Sequence, residues 1–133
     1  MASKTEHFYF IPEAELREDL QTLYTTDVFP ERLASNLMKM VDGSLHNKRF
    51  IRYTQDWKEE MQSAALQRVV DVLRRKKFDL EHNSSCFSWI TQVIFNRFKD
   101  TITSLQKEHD REQGYVELAK TDYEMTHNKG GHK

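Results

Sequence analysis

Residues 87–98, which read FSWITQVIFNRF, carry side chains that are well suited to hold nucleic acid. Trp89 offers a flat ring for an unstacked base, and each such stack contributes about 1–3 kcal/mol. Gln92, Asn96 and Lys99 follow at spacings of three or four residues, so on a helix they share one face and can reach base edges or phosphates together. A core Trp and an ordinary polar helix face are the alternative interpretations.

Basic and aromatic residues also alternate in the connector NKRFIRY, residues 47–53. Arg49 and Arg52 can contact phosphates, while the rings of Phe50 and Tyr53 can stack on bases. The same pattern suits aromatic rings that pack beneath a loop and leave the charges outside. The sequence leaves both interpretations of the connector open.

The formal net charge of −1 conceals an uneven distribution of charge. Residues 1–31 are net −5, whereas residues 32–78 are net +6. Part of the excess is a basic cluster at residues 74–77, which can clamp a DNA backbone or end a helix, because cations are favourable at a helix C-terminus. A basic middle segment is compatible with nucleic-acid binding, and a solvated lysine face is the alternative.

Apolar residues recur at spacings of three and four, and the chain has only four Gly and two Pro. The pattern predicts an all-α fold, a small helical bundle with one core. The expected helices cover residues 12–24, residues 30–46, a third stretch that Thr54 or Asp56 caps, and a fourth that runs from Ser84 or Ser85 to about residue 108. We therefore expect one helical domain, residues 1–108, and a flexible tail, residues 109–133.

No motif of an enzyme, a metal site or a cofactor site stands out. Six histidines are scattered, and no Cys pair, H-E-x-x-H or Gly-rich phosphate loop is present. We expect a binding protein with no catalytic residue and no cofactor. The single Cys86 cannot form an internal disulfide, no signal peptide is apparent, and no apolar run approaches the ~20 residues of a membrane span, so we expect a cytoplasmic protein.

Residues 57–100 resemble the second conserved region of bacterial sigma factors, where a helix, a basic turn, Phe-Asp and a Trp-containing helix follow one another. WITQVIFNRFKD, residues 89–100, is similar to the W-x-x-x-I-x-R-N-R-x-x-D pattern of the extracytoplasmic-function class. The matching residues are Trp89, Asn96, Arg97 and Asp100. Over roughly residues 8–110, with YTQDWKEEM and WITQVIFN, the chain also looks like the late-transcription sigma factors of large tailed phages.

The resemblance implies a transcription initiation factor that docks on bacterial core RNA polymerase, reads a TATA-like minus-ten promoter element and captures its melted strand. Trp89 aligns with a base-stacking aromatic residue of the housekeeping family, and Asn96 aligns with a promoter-reading glutamine. Arg49 and Arg52 are then plausible contacts to the DNA backbone. The implied promoter-binding residues are Trp89, Gln92, Asn96, Lys99, Arg49 and Arg52.

For polymerase, the resemblance implies docking on the clamp coiled coil of the largest subunit. The candidate face carries Glu60, Ser63 and Gln67, while the acidic-Gly pair usual in the family is replaced by Ala64-Ala65. Phage late factors also use a co-activator and the sliding clamp, so both are implied partners in an infected host cell. The alternatives are an adaptor or inhibitor that occupies the sigma docking site without reading DNA, and a helical DNA-binding protein without a polymerase partner.

Overall fold

The regular structure of the residues that the structure describes is helical, which confirms the all-α prediction. A computed structural model describes residues 10–131, with side chains as far as residue 121. The helices are α1 (Glu13–Thr26), α2 (Glu31–Leu45), α3 (Gln55–Arg74) and α4 (Cys86–Gly131), and the described residues include no strand. The chain divides within α4 into two units, of which the first ends at Thr101 and the second begins at Ile102.

The first three helices begin within a residue of their predicted starts. Pro12 and Pro30 occupy the N-cap positions of α1 and α2, with φ angles of −57° and −63° that the proline ring favours. Of the two candidate caps for α3, the structure uses Thr54, whose hydroxyl oxygen accepts a hydrogen bond from the Trp57 N–H at 3.3 Å. That bond satisfies one of the N–H groups left without a partner at a helix start.

The C-terminus of α3 is closed by a Schellman motif that contains no glycine. The Lys76 N–H donates to the carbonyl of Leu73 at 2.9 Å, and the Lys77 N–H donates to that of Val72 at 3.0 Å. Lys76 has a φ of +58°, in the left-handed region that favours glycine. This turn ends α3 and sends the chain into the segment that precedes α4.

One apolar core joins the helices of the first unit. The helices α1, α2 and α3 pack against one another in pairs. Each helix buries apolar side chains at spacings of three or four residues, as an amphipathic helix does. The fully buried residues include Leu16 and Leu20 of α1, Leu33, Leu37 and Val41 of α2, Met61, Ala65, Val69 and Leu73 of α3, and Ile90, Ile94 and Phe98 of α4.

A polar network joins α1 to α2 beside this core. The buried carboxylate of Asp19 accepts two hydrogen bonds from Arg32, at 3.0 Å from Nε and 2.9 Å from Nη2. Asn36 is also buried, and its Nδ2 donates to Glu15 Oε2 at 2.6 Å. Bidentate arginine–carboxylate pairs add geometric specificity as well as energy, so the network sets how α2 lies on α1.

The predicted end of the fourth helix near residue 108 is wrong, because α4 continues to Gly131. Residues 106–121 are exposed at every position. The loss of apolar periodicity therefore marks a loss of burial and not a loss of helix, since this stretch is rich in Glu, Gln and Lys, which have high helix propensity. The division into a domain of residues 1–108 and a flexible tail of residues 109–133 stays a prediction.

Within the described part of the chain, we find no helix that combines the length and the apolar character required to cross a membrane.

Candidate nucleic-acid interface

Trp89 lies half-buried near the start of α4, where its ring packs against that of Phe78. The two ring centroids are 5.3 Å apart, and the ring planes are tilted by 56°. Phe78 itself is buried and precedes residues 79–85, which we call the α3–α4 loop. Trp89 thus rests on an aromatic support at one side while part of its ring remains in contact with solvent.

Gln92, Asn96 and Lys99 are all exposed on α4. The structure brings the first two together, because Gln92 Nε2 donates a hydrogen bond to Asn96 Oδ1 at 2.9 Å. This bond uses neither Gln92 Oε1 nor Asn96 Nδ2. An acceptor oxygen on Gln92 and a donor amide on Asn96 therefore remain available on neighbouring turns of the helix.

The aromatic rings of the connector pack against other rings of the protein. Phe50 is 3% exposed and meets two rings of α4 edge-on, with centroid distances of 5.4 Å to Phe95 and 5.0 Å to Phe98. Tyr53 lies parallel to Trp57 at 5.8 Å, with 7° between the ring planes. For Phe50, the structure has the interpretation in which the ring packs beneath the loop, so Phe50 is not a free platform for bases. Tyr53 is half-buried, so part of this residue remains in contact with solvent.

The charges of the connector stay outside. Arg49 and Arg52 are exposed, and the guanidinium carbon of Arg49 lies 5.7 Å from the centroid of Phe95. Phe95 lies three residues after Gln92 and four before Lys99, so on the helix it adjoins the polar face, and the packing places a positive charge beside that face. A guanidinium that stacks on a ring keeps its N–H groups at the edge, where phosphates can accept from them.

The basic cluster of residues 74–77 is exposed, and two of its members have partners in the chain. The guanidinium carbon of Arg74 lies 5.2 Å from the ring centroid of Phe29. Arg75 pairs with Asp71 at 3.2 Å, one helical turn earlier. These contacts favour the interpretation in which the cluster ends α3.

Glu60, Ser63 and Gln67, the candidate polymerase contacts, are exposed on α3. Their spacing of three and four residues places them on one face of the helix. The buried stripe of α3, which includes Met61 and Ala65, lies on a different face. The three side chains therefore form a polar surface on the first unit.

Glu13 of α1 caps the N-terminus of α4. Its carboxylate accepts hydrogen bonds from the N–H of Cys86 at 2.6 Å and from the N–H of Phe87 at 3.2 Å. The Ser85 hydroxyl donates to the same carboxylate at 3.2 Å and accepts from the Ser88 N–H at 3.1 Å. Of the two predicted caps, the structure thus uses Ser85, assisted by a carboxylate from another helix.

Arg17, one turn after Glu13, holds the α3–α4 loop. Its guanidinium donates to three backbone carbonyls, those of Leu80 at 2.9 Å, His82 at 3.1 Å and Ser84 at 2.6 Å. Its Nε donates to Glu13 at 2.9 Å, and its guanidinium carbon lies 5.5 Å from the ring centroid of Phe78. This pair and the loop line an open cavity of about 630 Å³.

The contacts of Glu13 and Arg17 could not be predicted from the sequence, because the groups to which they hydrogen-bond lie more than 60 residues away. One local signal was present: the position three residues after Ser85 is Ser88, so the Glu or Gln of a capping box is missing. A helix start with such a gap needs an acceptor from elsewhere in the fold.

The environment of this pair shifts two pKa values. Partial burial raises the pKa of Glu13, but the hydrogen bonds from Cys86 and Phe87, followed by those from Arg17 and Ser85, outweigh it and hold the pKa below its ordinary value of 4.5. Burial, followed by the charge of Glu13, raises the pKa of the Cys86 thiol to about 12, although Arg17 opposes the increase.

We expect the Cys86 thiol to resist an aromatic disulfide reagent until the N-terminus of α4 opens. The thiol is fully buried, its raised pKa suppresses the reactive thiolate, and it is the only cysteine of the chain. At pH 8 the native protein is expected to react at least about a hundredfold more slowly than the chain in denaturant. Native protein that reacted at the rate of the denatured chain would contradict the packing of this helix start.

Among the side chains that the structure describes, no group of three or more His, Cys, Asp or Glu residues is arranged to hold a metal ion. No protein-family model matches the chain. A search of curated proteins likewise finds no match.

Proposed function

We propose that this protein is a sigma-like transcription initiation factor of phage type. It binds bacterial core RNA polymerase and directs it to a TATA-like minus-ten promoter element, whose melted strand it holds on α4. It acts by binding and catalyses no reaction itself. The proposal rests on the exposed surface of α4. There the Trp89 ring, which packs on Phe78, lies within two helical turns of the hydrogen-bonded amides of Gln92 and Asn96.

Trp89 supports the capture of a melted base. Its half-buried ring is held by Phe78, so little conformational freedom is lost when a base stacks on the remaining area. Stacking tolerates any base. Strong discrimination between bases comes from hydrogen bonds to base edges. Trp89 therefore supplies affinity for an unpaired strand and leaves selectivity to its neighbours.

Gln92 and Asn96 support selectivity. Their mutual hydrogen bond leaves an acceptor on Gln92 and a donor on Asn96. A neighbouring donor and acceptor match an adenine edge, which offers one acceptor and one amino donor. The pair suits an adenine-rich element of the minus-ten kind, and the exposed Lys99 and Arg49 supply positive charge for the adjacent phosphates.

The exposed face of α3 supports docking on polymerase. Glu60, Ser63 and Gln67 offer hydrogen-bonding groups without apolar bulk, as suits a contact with a charged coiled coil such as the clamp of the largest subunit. A phage co-activator and the sliding clamp are further proposed partners. In the proposed complex, α3 binds polymerase while α4 contacts the promoter, in the cytoplasm of an infected bacterial cell.

The test is run-off transcription with purified bacterial core polymerase on supercoiled DNA that carries phage late promoters. The wild-type protein is expected to produce specific starts. Trp89→Ala is expected to reduce them about 5- to 150-fold, the loss that corresponds to one base stack, while binding to core polymerase persists. Val93→Ala is the matched control, because it truncates another half-buried side chain of α4 one turn later, and it is expected to keep the starts. Glu60→Lys with Gln67→Lys is expected to remove polymerase binding.

Other outcomes would support the two alternative functions, a polymerase-binding adaptor or inhibitor and a helical DNA-binding protein without a polymerase partner. Binding to core polymerase without a specific start, after candidate co-activators are supplied, would identify an adaptor or inhibitor. Unchanged promoter choice in Gln92→Ala with Asn96→Ala, while binding to core polymerase persists, would favour the same alternative. Tight, salt-sensitive binding to duplex DNA without polymerase would indicate a DNA-binding protein of another kind, because phosphate contacts give a steep dependence on salt.

A further inference from the structure

We propose that Glu13 and Arg17 are positioning residues for promoter capture: α1 holds the α3–α4 loop and the start of α4 so that the Trp89 ring keeps its place. This inference rests on the proposed function. Neither residue has to touch DNA. Their role is to fix the support on which the base-stacking ring lies.

Arg17 reaches Trp89 through one intermediate ring. Its guanidinium lies over Phe78, and Phe78 packs against Trp89. The same guanidinium donates hydrogen bonds to the carbonyls of Leu80, His82 and Ser84 in the α3–α4 loop. Four of its five N–H donors are therefore used, three on these carbonyls and one on Glu13. No single shift of the loop can preserve all of these bonds, so the loop has one favoured position.

Glu13 fixes the other end of the same segment. It accepts from the first N–H groups of α4, at Cys86 and Phe87, and from the hydroxyl of Ser85. Trp89 follows one turn later, and its own N–H donates to the Ser85 carbonyl at 3.0 Å. The first turn of α4, from which the Trp89 ring projects, is therefore tied to α1 by a carboxylate.

The location of these bonds favours a positioning role over core stabilisation. Arg17 and Glu13 are 29% and 37% exposed, and His82 and Ser84 of the loop are exposed. An exposed loop that buries little apolar surface does not need to be ordered for the protein to fold, and ordering it costs conformational entropy. The bonds order a surface that lies beside Trp89.

The test uses the 133-residue chain with Trp57→Phe, so that Trp89 is its only tryptophan and reports on its own environment. Glu13→Gln removes the charge of the cap, and Arg17→Met removes the carbonyl contacts but keeps an apolar stem. Glu18→Gln is the matched control, because Glu18 lies on the same helix and contacts Arg32 of α2 instead of the loop. Each protein is measured for Trp89 emission, for quenching by acrylamide, for helix content and for initiation.

In Arg17→Met and Glu13→Gln we expect the Trp89 emission to move to longer wavelength and its quenching to rise, with helix content and core polymerase binding unchanged. Initiation from duplex promoters should fall about 5- to 150-fold, the range that corresponds to the loss of one base stack. The control should match its parent in every measurement. Unchanged emission in both variants would overturn the proposal.

A double variant separates positioning from general loss of stability. If Arg17 acts through Trp89, adding Arg17→Met to Trp89→Ala should reduce initiation no further than Trp89→Ala alone. Independent, multiplying losses would overturn the inference. If the wild-type protein starts no transcription, the proposed function fails, and the emission and quenching of Trp89 decide by themselves whether Glu13 and Arg17 set the position of the ring.

Discussion

Phe50→Ala is expected to lower the free energy of unfolding by about 3–5 kcal/mol, the range found when a buried Phe is truncated. Phe50 is 3% exposed and contacts Phe95 and Phe98 of α4 in edge-on geometry. Each aromatic pair adds about 0.5–1.5 kcal/mol beyond the area that it buries. Denaturant unfolding should show a lower midpoint with an unchanged slope.

Ile51→Ala is the matched control for this substitution. Ile51 is the next residue of the connector and is 47% exposed, so its truncation is expected to change stability by only about 0.5 kcal/mol. Equal decreases in the free energy of unfolding for Phe50→Ala and Ile51→Ala would show that the connector does not pack on α4 as described. Because Phe50 places Arg49 against Phe95, Phe50→Ala should also weaken any contact that Arg49 makes with DNA.

Glu13→Ala is expected to destabilise the protein by about 0.5–2 kcal/mol, the range for loss of a helix cap. The substitution leaves the N–H groups of Cys86 and Phe87 without their acceptor and removes one partner of Arg17. Glu18→Ala removes a more exposed carboxylate from the same helix and should lower the stability by less. A Glu13→Ala protein as stable as Glu18→Ala would contradict the assignment of Glu13 as the cap of α4.

The stabilisation by Glu13 should depend on pH in a definite direction. Its pKa is lowered in the folded protein, so the folded state binds the proton less readily than the unfolded chain does. The stabilisation is therefore fully present above the ordinary pKa of 4.5 and is lost as the pH falls through the lowered value. In acid titrations followed by circular dichroism, the difference in stability between wild type and Glu13→Gln should narrow below pH 4.5. A difference in stability that stayed constant would contradict the lowered pKa of Glu13.

The sequence by itself determined the helices of the first unit. Pro12, Pro30 and Thr54 mark three helix starts through properties of single residues, a fixed φ or a hydroxyl acceptor. The recurrence of apolar residues every three or four positions selects the buried face, because burial of that face is what stabilises a short helix. Such signals act within a few residues, so they can be recognised without the fold.

The apolar pattern does not predict the end of α4, because burial and helix formation separate there. Beyond residue 108 the apolar pattern ends but α4 continues to Gly131, because intrinsic propensity alone can favour a helix that is exposed on every side. For the candidate site, the sequence placed Gln92 and Asn96 on one face, and the structure adds that they hydrogen-bond to each other.

Only the tertiary structure decided how the candidate site is held. Phe50 could stack on a base or pack inside, and its burial against α4 depends on residues more than 40 positions away. Glu13 and Arg17 belong to α1 by sequence, yet their hydrogen bonds go to the α3–α4 loop and to the start of α4. The residues next to a charged side chain in the sequence do not show which distant group it will contact. Which carboxylate caps a helix, and which guanidinium orders a loop, is settled when packing brings them together.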